Sequence, residues 1–182
     1  MSAVLKQPVI GIQSNLSQMS TQAKLYFLCG KMAAGKSTLA KQLARDHDAI
    51  LLIEDDLLTH LYSKEITGIP SYIEYSSRLK AAISDHICSL LSKGISVVLD
   101  FPGNTKRQRY WFRGLFERAN IAHELHFIDV SNDLCKRQLK ERSKDKPNRT
   151  AFTSDAEFEA ITKYFQAPTY EEGFNIIRHE RA

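Results

Sequence analysis

The chain has 182 residues, 43% of them hydrophobic and 25% charged, with a formal net charge of +4 at pH 7. That length and composition fit one folded domain with its own core, and no apolar run is long enough to cross a bilayer. The mild positive charge suits a protein that handles anionic nucleotides and is too small to demand nucleic acid as a partner.

Residues 1–22 are rich in Gln and Ser and lack the apolar core of a signal peptide. They are expected to form a loosely ordered leader before a domain over 23–182, with Val9–Ile12 able to add a short edge strand. Leu25–Cys29 reads as a buried strand, and it runs straight into Gly30-Lys31-Met32-Ala33-Ala34-Gly35-Lys36-Ser37, which fits G-x-x-x-x-G-K-[ST]. After this loop, Leu39, Ala40, Leu43 and Ala44 mark one face of a helix whose N-terminus points back at whatever the loop holds.

Ala49–Ile53 is a second apolar strand, closed by Glu54-Asp55-Asp56, with a helix expected from Leu57. Gly68-Ile69-Pro70 reads as a break, followed by a long helix from about Tyr72 to Ser92 that Gly94 stops. Ile95–Leu99 is the third strand, ending in Asp100. Thr105–Ala119 reads as a helix with Trp111, Phe112, Leu115, Phe116 and Ala119 inward and mostly basic residues outward. Glu124–Val130 is the fourth strand, and Asn132 can cap the helix that carries Leu134, Cys135 and Leu139. Ser143–Thr153 is polar and loop-like, Ser154-x-x-Glu157 is a capping box, Pro168 stops the helix it opens, and Phe174–Ile177 is the final strand. Strands alternating with helices predict a parallel sheet covered on both faces. Cys29, Cys88 and Cys135 are odd in number and lack metal-ligand spacing, which reads as reduced thiols and a cytoplasmic location.

The chemistry expected of the loop follows from its residue types. Glycine frees the backbone to turn successive N–H groups inward around phosphates, Lys36 reaches the β- and γ-phosphates, and the Ser37 hydroxyl ligates Mg²⁺. Gly30 through Thr38 is therefore the expected nucleotide cradle. Asp100, at the end of an apolar strand, is placed to help hold the metal. Open α/β sheets bind ligands beyond the carboxyl ends of their strands, so Asp56, just past the second strand, can accept the proton of a hydroxyl attacking the γ-phosphate. Asp55 and Glu54 are its immediate competitors, and capping the next helix is the alternative use for Asp55 or Asp56. Lys106, Arg107, Arg109 and Arg113 form a basic cluster near the strand ends, with Arg107 the best placed to meet an acceptor.

The order Gly-Lys-x-x-x-Gly-Lys-Ser, strand-x-Asp-Asp, Val-Val-Leu-Asp and then Cys-x-x-x-Leu-x-x-Arg resembles the small P-loop kinases. It is most similar to the group that contains zeta toxins, chloramphenicol phosphotransferase and polynucleotide 5′-kinases, over about Lys24 to Ile177. The resemblance implies a three-layer α/β/α fold with strand order 2-3-1-4-5 and an ATP- and Mg²⁺-dependent phosphotransferase. Its acceptor would be a hydroxyl on a small molecule or nucleotide-type compound, and it places the base on Asp56. It also makes Cys135–Arg142 a lid helix with Arg142 as the charge-neutralising arginine. The family's first lid arginine falls on Gln138, and Arg137, one place early, is turned about 100° away. Lys144, Lys146 and Arg149 could close over the triphosphate. Arg78 lies in the helix that walls the acceptor pocket in such kinases, with Tyr72 and Tyr75 nearby. Two rivals stand beside this reading: a polynucleotide end kinase, which the mild charge disfavours, and a regulatory ATPase without an acceptor.

Overall fold

The computed structural model describes residues 23–145 and 154–181, leaving aside the side chains of 142–145 and 181. The leader, Val9–Ile12, Lys146 and Arg149 lie outside the described residues.

Strand β1 (Lys24–Gly30) feeds helix α1 (Lys36–Asp46), and β2 (Ile50–Ile53) passes directly into α2 (Glu54–Leu61). The long α3 (Ile69–Ser92) leads to β3 (Val97–Asp100), and α4 (Lys106–Ala119) to β4 (Ala122–Val130). Helices α5 (Asn132–Asp145) and α6 (Asp155–Thr162) and a single 3₁₀ turn at Tyr170–Glu172 precede β5 (Ile176–Arg181). The sheet is parallel throughout, in the order β2-β3-β1-β4-β5 that the sequence predicts.

β1 is apolar on both faces because it is central and covered on both sides. Leu25, Phe27 and Cys29 pack with Leu79, Ile87 and Leu91 of α3 and Phe112 and Leu115 of α4. Tyr26 and Leu28 pack with Ala40 and Leu43 of α1, Leu139 of α5 and Phe158 of α6. These two cores make the three layers. No helix among the described residues is long and apolar enough to cross a membrane.

Several local expectations are corrected. Helix α2 begins at Glu54 rather than Leu57, so three carboxylates occupy its first turn, where the helix dipole favours them. Gly68-Ile69-Pro70 is the start of α3 rather than a break before it. Proline is tolerated in a first helical turn, and Ser71 Oγ accepts from the N–H groups of Thr67 and Gly68. Ser131, not Asn132, caps α5, its hydroxyl accepting from Leu134 N at 3.2 Å. The stretch from Ser143 is helical as far as Asp145, and β5 begins at Ile176, two residues beyond the buried Phe174. The expected Ser154–Glu157 capping box is formed, and Thr105 with Gln108 makes another at the start of α4.

Candidate active site

The sheet's carboxyl edge carries the phosphate loop. Gly30 ends β1 so close to β4 that a Cβ there would lie 3.1 Å from the Ile128 carbonyl oxygen. The loop then needs left-handed backbone twice, at Ala33 (φ 57°) and Gly35 (φ 100°), which turns it into the first residue of α1. Lys36 Nζ donates to the carbonyls of Gly30 (2.7 Å) and Lys31 (2.9 Å), folding the lysine along the loop. Lys31 Nζ donates to Val130 O at the end of β4, 3.1 Å away. Met32 and Ala34 pack on the α1-side core, and the Ser37 and Thr38 side chains stand exposed in the first turn of α1.

Asp100 ends β3 beside β1. Strand alternation puts it on the same face as Val98, which belongs to the core under α1, the helix whose first turn carries Ser37. A hydroxyl and a carboxylate are the hard oxygen donors that Mg²⁺ takes together with phosphate oxygens, so this donor set fits the metal.

Past β3, the chain returns to the loop. Gly103 runs so near β1 that a Cβ would sit 2.5 Å from Leu28 O, which leaves room only for glycine. Asn104 Oδ1 accepts from Gly30 N at 3.1 Å, and its carbonyl accepts from Gln166 N at 2.9 Å. Neither residue carries a motif that would single it out in the sequence. Arg109 is the larger surprise. Read as part of an outward basic cluster, it is fully buried, donating to Gly103 O and Gln166 O and holding Glu172 through two bonds of 2.7 Å. Burial raises the Glu172 carboxyl, but the Arg109 bonds and the Thr169 backbone N–H outweigh it and leave the group below its ordinary range. Arg113 donates to Glu172 O and lies over the Phe174 ring. Both arginines therefore fasten the 166–174 segment, while Arg107 stays exposed.

On the other side, α2 separates its three acids. Glu54 is 1% exposed and accepts from Tyr72 Oη (2.7 Å), Ser76 Oγ (2.7 Å) and Lys80 Nζ (3.1 Å). Burial and the Glu54 charge drive the Tyr72 phenol far above its usual pKa, with a smaller push from Asp55. Asp55 and Asp56 are exposed. Helical phase sets Asp55 about 100° and Asp56 about 200° round from Glu54, so Asp56 is turned well away from the buried flank. Arg78 pairs with Glu74 at 2.5 Å and lies over Tyr75, on the side of α3 opposite Lys80, and Tyr75 stacks near Tyr62. Arg142 lies in α5 with its side chain among those set aside, as does Lys144. Cys29, under the loop, has its thiol pushed up to about 12 by burial, which makes it a packing group.

A loop of this shape between the central strand and the first helix, in a 2-3-1-4-5 parallel sheet, defines a P-loop NTPase fold. The AAA domain family model matches residues 25–168, and the chain belongs to that family. No curated protein matches it in sequence. Similar solved structures include a proposed kinase from Chloroflexus aurantiacus J-10-fl, 16% identical, with a TM-score of 0.68 over 87% of this chain and 88% of that one. The Mycobacterium tuberculosis APS kinase CysC, in complex with AMPPNP and APS, is 18% identical with a TM-score of 0.59 over 88% and 91% of the two chains. Chaetomium thermophilum Kti12, in complex with ADP-AlF3, is 15% identical with a TM-score of 0.61 over 86% and 88%. The chain is thus an AAA-domain protein with the P-loop NTPase fold that these structures share.

Proposed function

We propose that this protein is an ATP- and Mg²⁺-dependent phosphotransferase that moves the γ-phosphoryl group to a hydroxyl of a small-molecule or nucleotide-type acceptor in the cytoplasm. The observation that carries the reading is the gathering, at one edge of the sheet, of the phosphate loop, Asp100 and the Asp55–Asp56 pair. Gly30 through Thr38 hold the triphosphate, and Ser37 and Asp100 supply oxygen donors to Mg²⁺, which when bound neutralises phosphate charge. Lys36 exchanges its carbonyl partners for phosphate oxygens, and Arg142 adds charge from α5. The hydroxyl oxygen attacks the γ-phosphorus as the bond to the β–γ bridging oxygen breaks. ADP leaves with that electron pair, and the hydroxyl proton passes to an aspartate carboxylate. The resemblance to small P-loop kinases assigns this base to Asp56, with Asp55, whose charge reaches Tyr72, its immediate competitor. Catalysis here is mainly positioning and electrostatics.

The test is transfer of ³²P from γ-labelled ATP with Mg²⁺ to a metabolite pool, with Lys36→Ala as the control. Labelled product that depends on Lys36 supports the reading. Release of inorganic phosphate alone, with no labelled product from any pool, favours a regulatory ATPase.

A further inference from the structure

Helix α2 is fastened by two buried side chains, Glu54 and Leu58, one turn apart on the same flank. Leu58 joins the core that α3 and α4 cover, and it holds the helix down without fixing its rotation, because apolar contact has no direction. Glu54 supplies the direction. Its Oε2 accepts from Tyr72 Oη at 2.7 Å, and its Oε1 accepts from Ser76 Oγ at 2.7 Å and from Lys80 Nζ at 3.1 Å. Lys80 Nζ also donates to Ser76 Oγ at 2.9 Å, which closes a triangle around the carboxylate. No side chain caps the start of α2, so its first turn is anchored sideways, through Glu54, rather than end-on.

For stability alone a buried ion pair is a poor choice, since apolar side chains of similar volume serve as well or better. What its bonds add here is a fixed place for the residues that follow. Asp55 and Asp56 continue the same rigid turn, so their carboxylates shift only if the bonds of Glu54 give way. Burial, then the Glu54 charge and in lesser part that of Asp55, raise the Tyr72 phenol, so Asp55 lies within reach of the hydroxyl that Glu54 holds.

The grip is referenced to the phosphate loop through α4. Strand β2 is at the sheet's edge with β3 between it and β1, so α2 and the loop are not neighbours in the sheet. Lys80 Nζ lies 5.5 Å over the Trp111 ring, and Trp111 Nε1 donates to Ser84 Oγ at 3.0 Å, which seats this stretch of α3 on α4. At the start of α4, Gln108 Oε1 accepts from Asn104 N at 2.9 Å, and Asn104 Oδ1 accepts from Gly30 N at 3.1 Å. One helix therefore indexes both the first residue of the loop and the lysine that holds Glu54. We propose that Glu54 is the positioning residue of the phosphoryl-transfer site, its three bonds setting where the Asp55 and Asp56 carboxylates stand relative to the phosphate loop. The proposal rests on the phosphotransferase reading and adds to it the means by which the base is kept in place.

A Glu54→Leu/Lys80→Met double variant replaces the pair with apolar groups of similar volume and strands no charge, so it should melt close to the wild type. Glu54→Gln keeps the bonds without the charge, because its Oε1 can accept from Ser76 and Lys80 while its Nε2 donates to Tyr72 Oη. The measurements, on the full chain with Mg²⁺, are the rate of labelled product from γ-³²P ATP and the metabolite pool, and AMPPNP affinity by calorimetry. The expected result is a ~10–10²-fold lower rate in the double variant with AMPPNP affinity unchanged, and recovery of most of that rate in Glu54→Gln. A wild-type rate in the double variant overturns the proposal, and so does a matching loss of AMPPNP affinity. A Glu54→Gln rate as low as that of the double variant also overturns it, since charge rather than bonding would then be what Glu54 contributes. If the double variant does not fold, Tyr72→Phe/Ser76→Ala removes two of the three donors from the α3 side and is judged by the same rate and affinity. All these outcomes leave the kinase reading standing. Phosphate release with no labelled product from the wild type sinks that reading, and the proposal with it.

Discussion

Arg109 and Glu172, 63 residues apart in the chain, form a two-bond ion pair with the guanidinium fully buried beneath the phosphate loop. Removing one partner of such a pair strands the other without a counter-charge, which costs about 3–5 kcal/mol. Arg109→Leu should therefore lower the urea midpoint sharply, and Arg109→Lys should recover little, because a point charge cannot make both bonds. Wild-type stability in Arg109→Leu would show that the pair is dispensable.

Nucleotide binding should depend on Lys36 and, less directly, on Asn104. Lys36→Ala should lose most ATP affinity in calorimetry while circular dichroism stays unchanged. Asn104→Ala leaves the Gly30 N–H without its 3.1 Å acceptor and should weaken ATP several-fold, about 1 kcal/mol. Equal affinity in both variants and the wild type would contradict the site.

The two exposed carboxylates of α2 are separable by near-isosteric substitution. Loss of a general base costs ~10²–10⁴ in rate and leaves ATP affinity alone. One of Asp55→Asn and Asp56→Asn should show that loss in phosphoryl transfer, and the other, which only meets the helix dipole from the first turn of α2, should show at most a lower melting temperature. Full activity in both variants would remove the base from α2.

His126 gives the fold an acid-sensitive joint between β4 and β5. It is 4% exposed, its Nδ1 is 2.9 Å from His179 Nε2, and burial first and His179 second lower its pKa from 6.5 to about 4. The unfolded chain therefore binds more protons in this window, so stability is full above pH 6.5 and falls as pH drops toward 4. At ~1.4 kcal/mol per unit, the loss is on the order of 3 kcal/mol. Denaturation at a series of pH values should show this slope, and His126→Gln should flatten it. An NMR titration of His126 with an ordinary midpoint would refute the assignment.

What the sequence could reveal divides along the range of the interactions involved. Gly30–Ser37 is a local device whose spacing alone specifies its geometry, and the apolar strand runs follow from burial on two faces. Arg109 looked like any outward charge on an amphipathic helix because its partner is in a distant 3₁₀ turn. Glu54 looked like one of three equivalent acids until the register of α3 supplied Tyr72, Ser76 and Lys80. The misplaced start of α3 hid Ile69 and treated Pro70 as a stop, although proline is at home in a first helical turn.

The bonds from Asn104 to Gly30 and from Gln166 to Asn104 carry a consequence for the order of events at the ribosome. Because β1 is flanked by β3 and β4, the earliest of the strands to emerge is among the last to gain both neighbours. The loop's own partners, Asn104 and Val130, come earlier, but Asn104 gains its Gln166 bond only after residues beyond 160 have left the exit tunnel. A nascent chain halted before Gln166 would display the complete G-x-x-x-x-G-K-S motif while Asn104, the acceptor for Gly30 N, still lacked its own tether to the 166–174 segment.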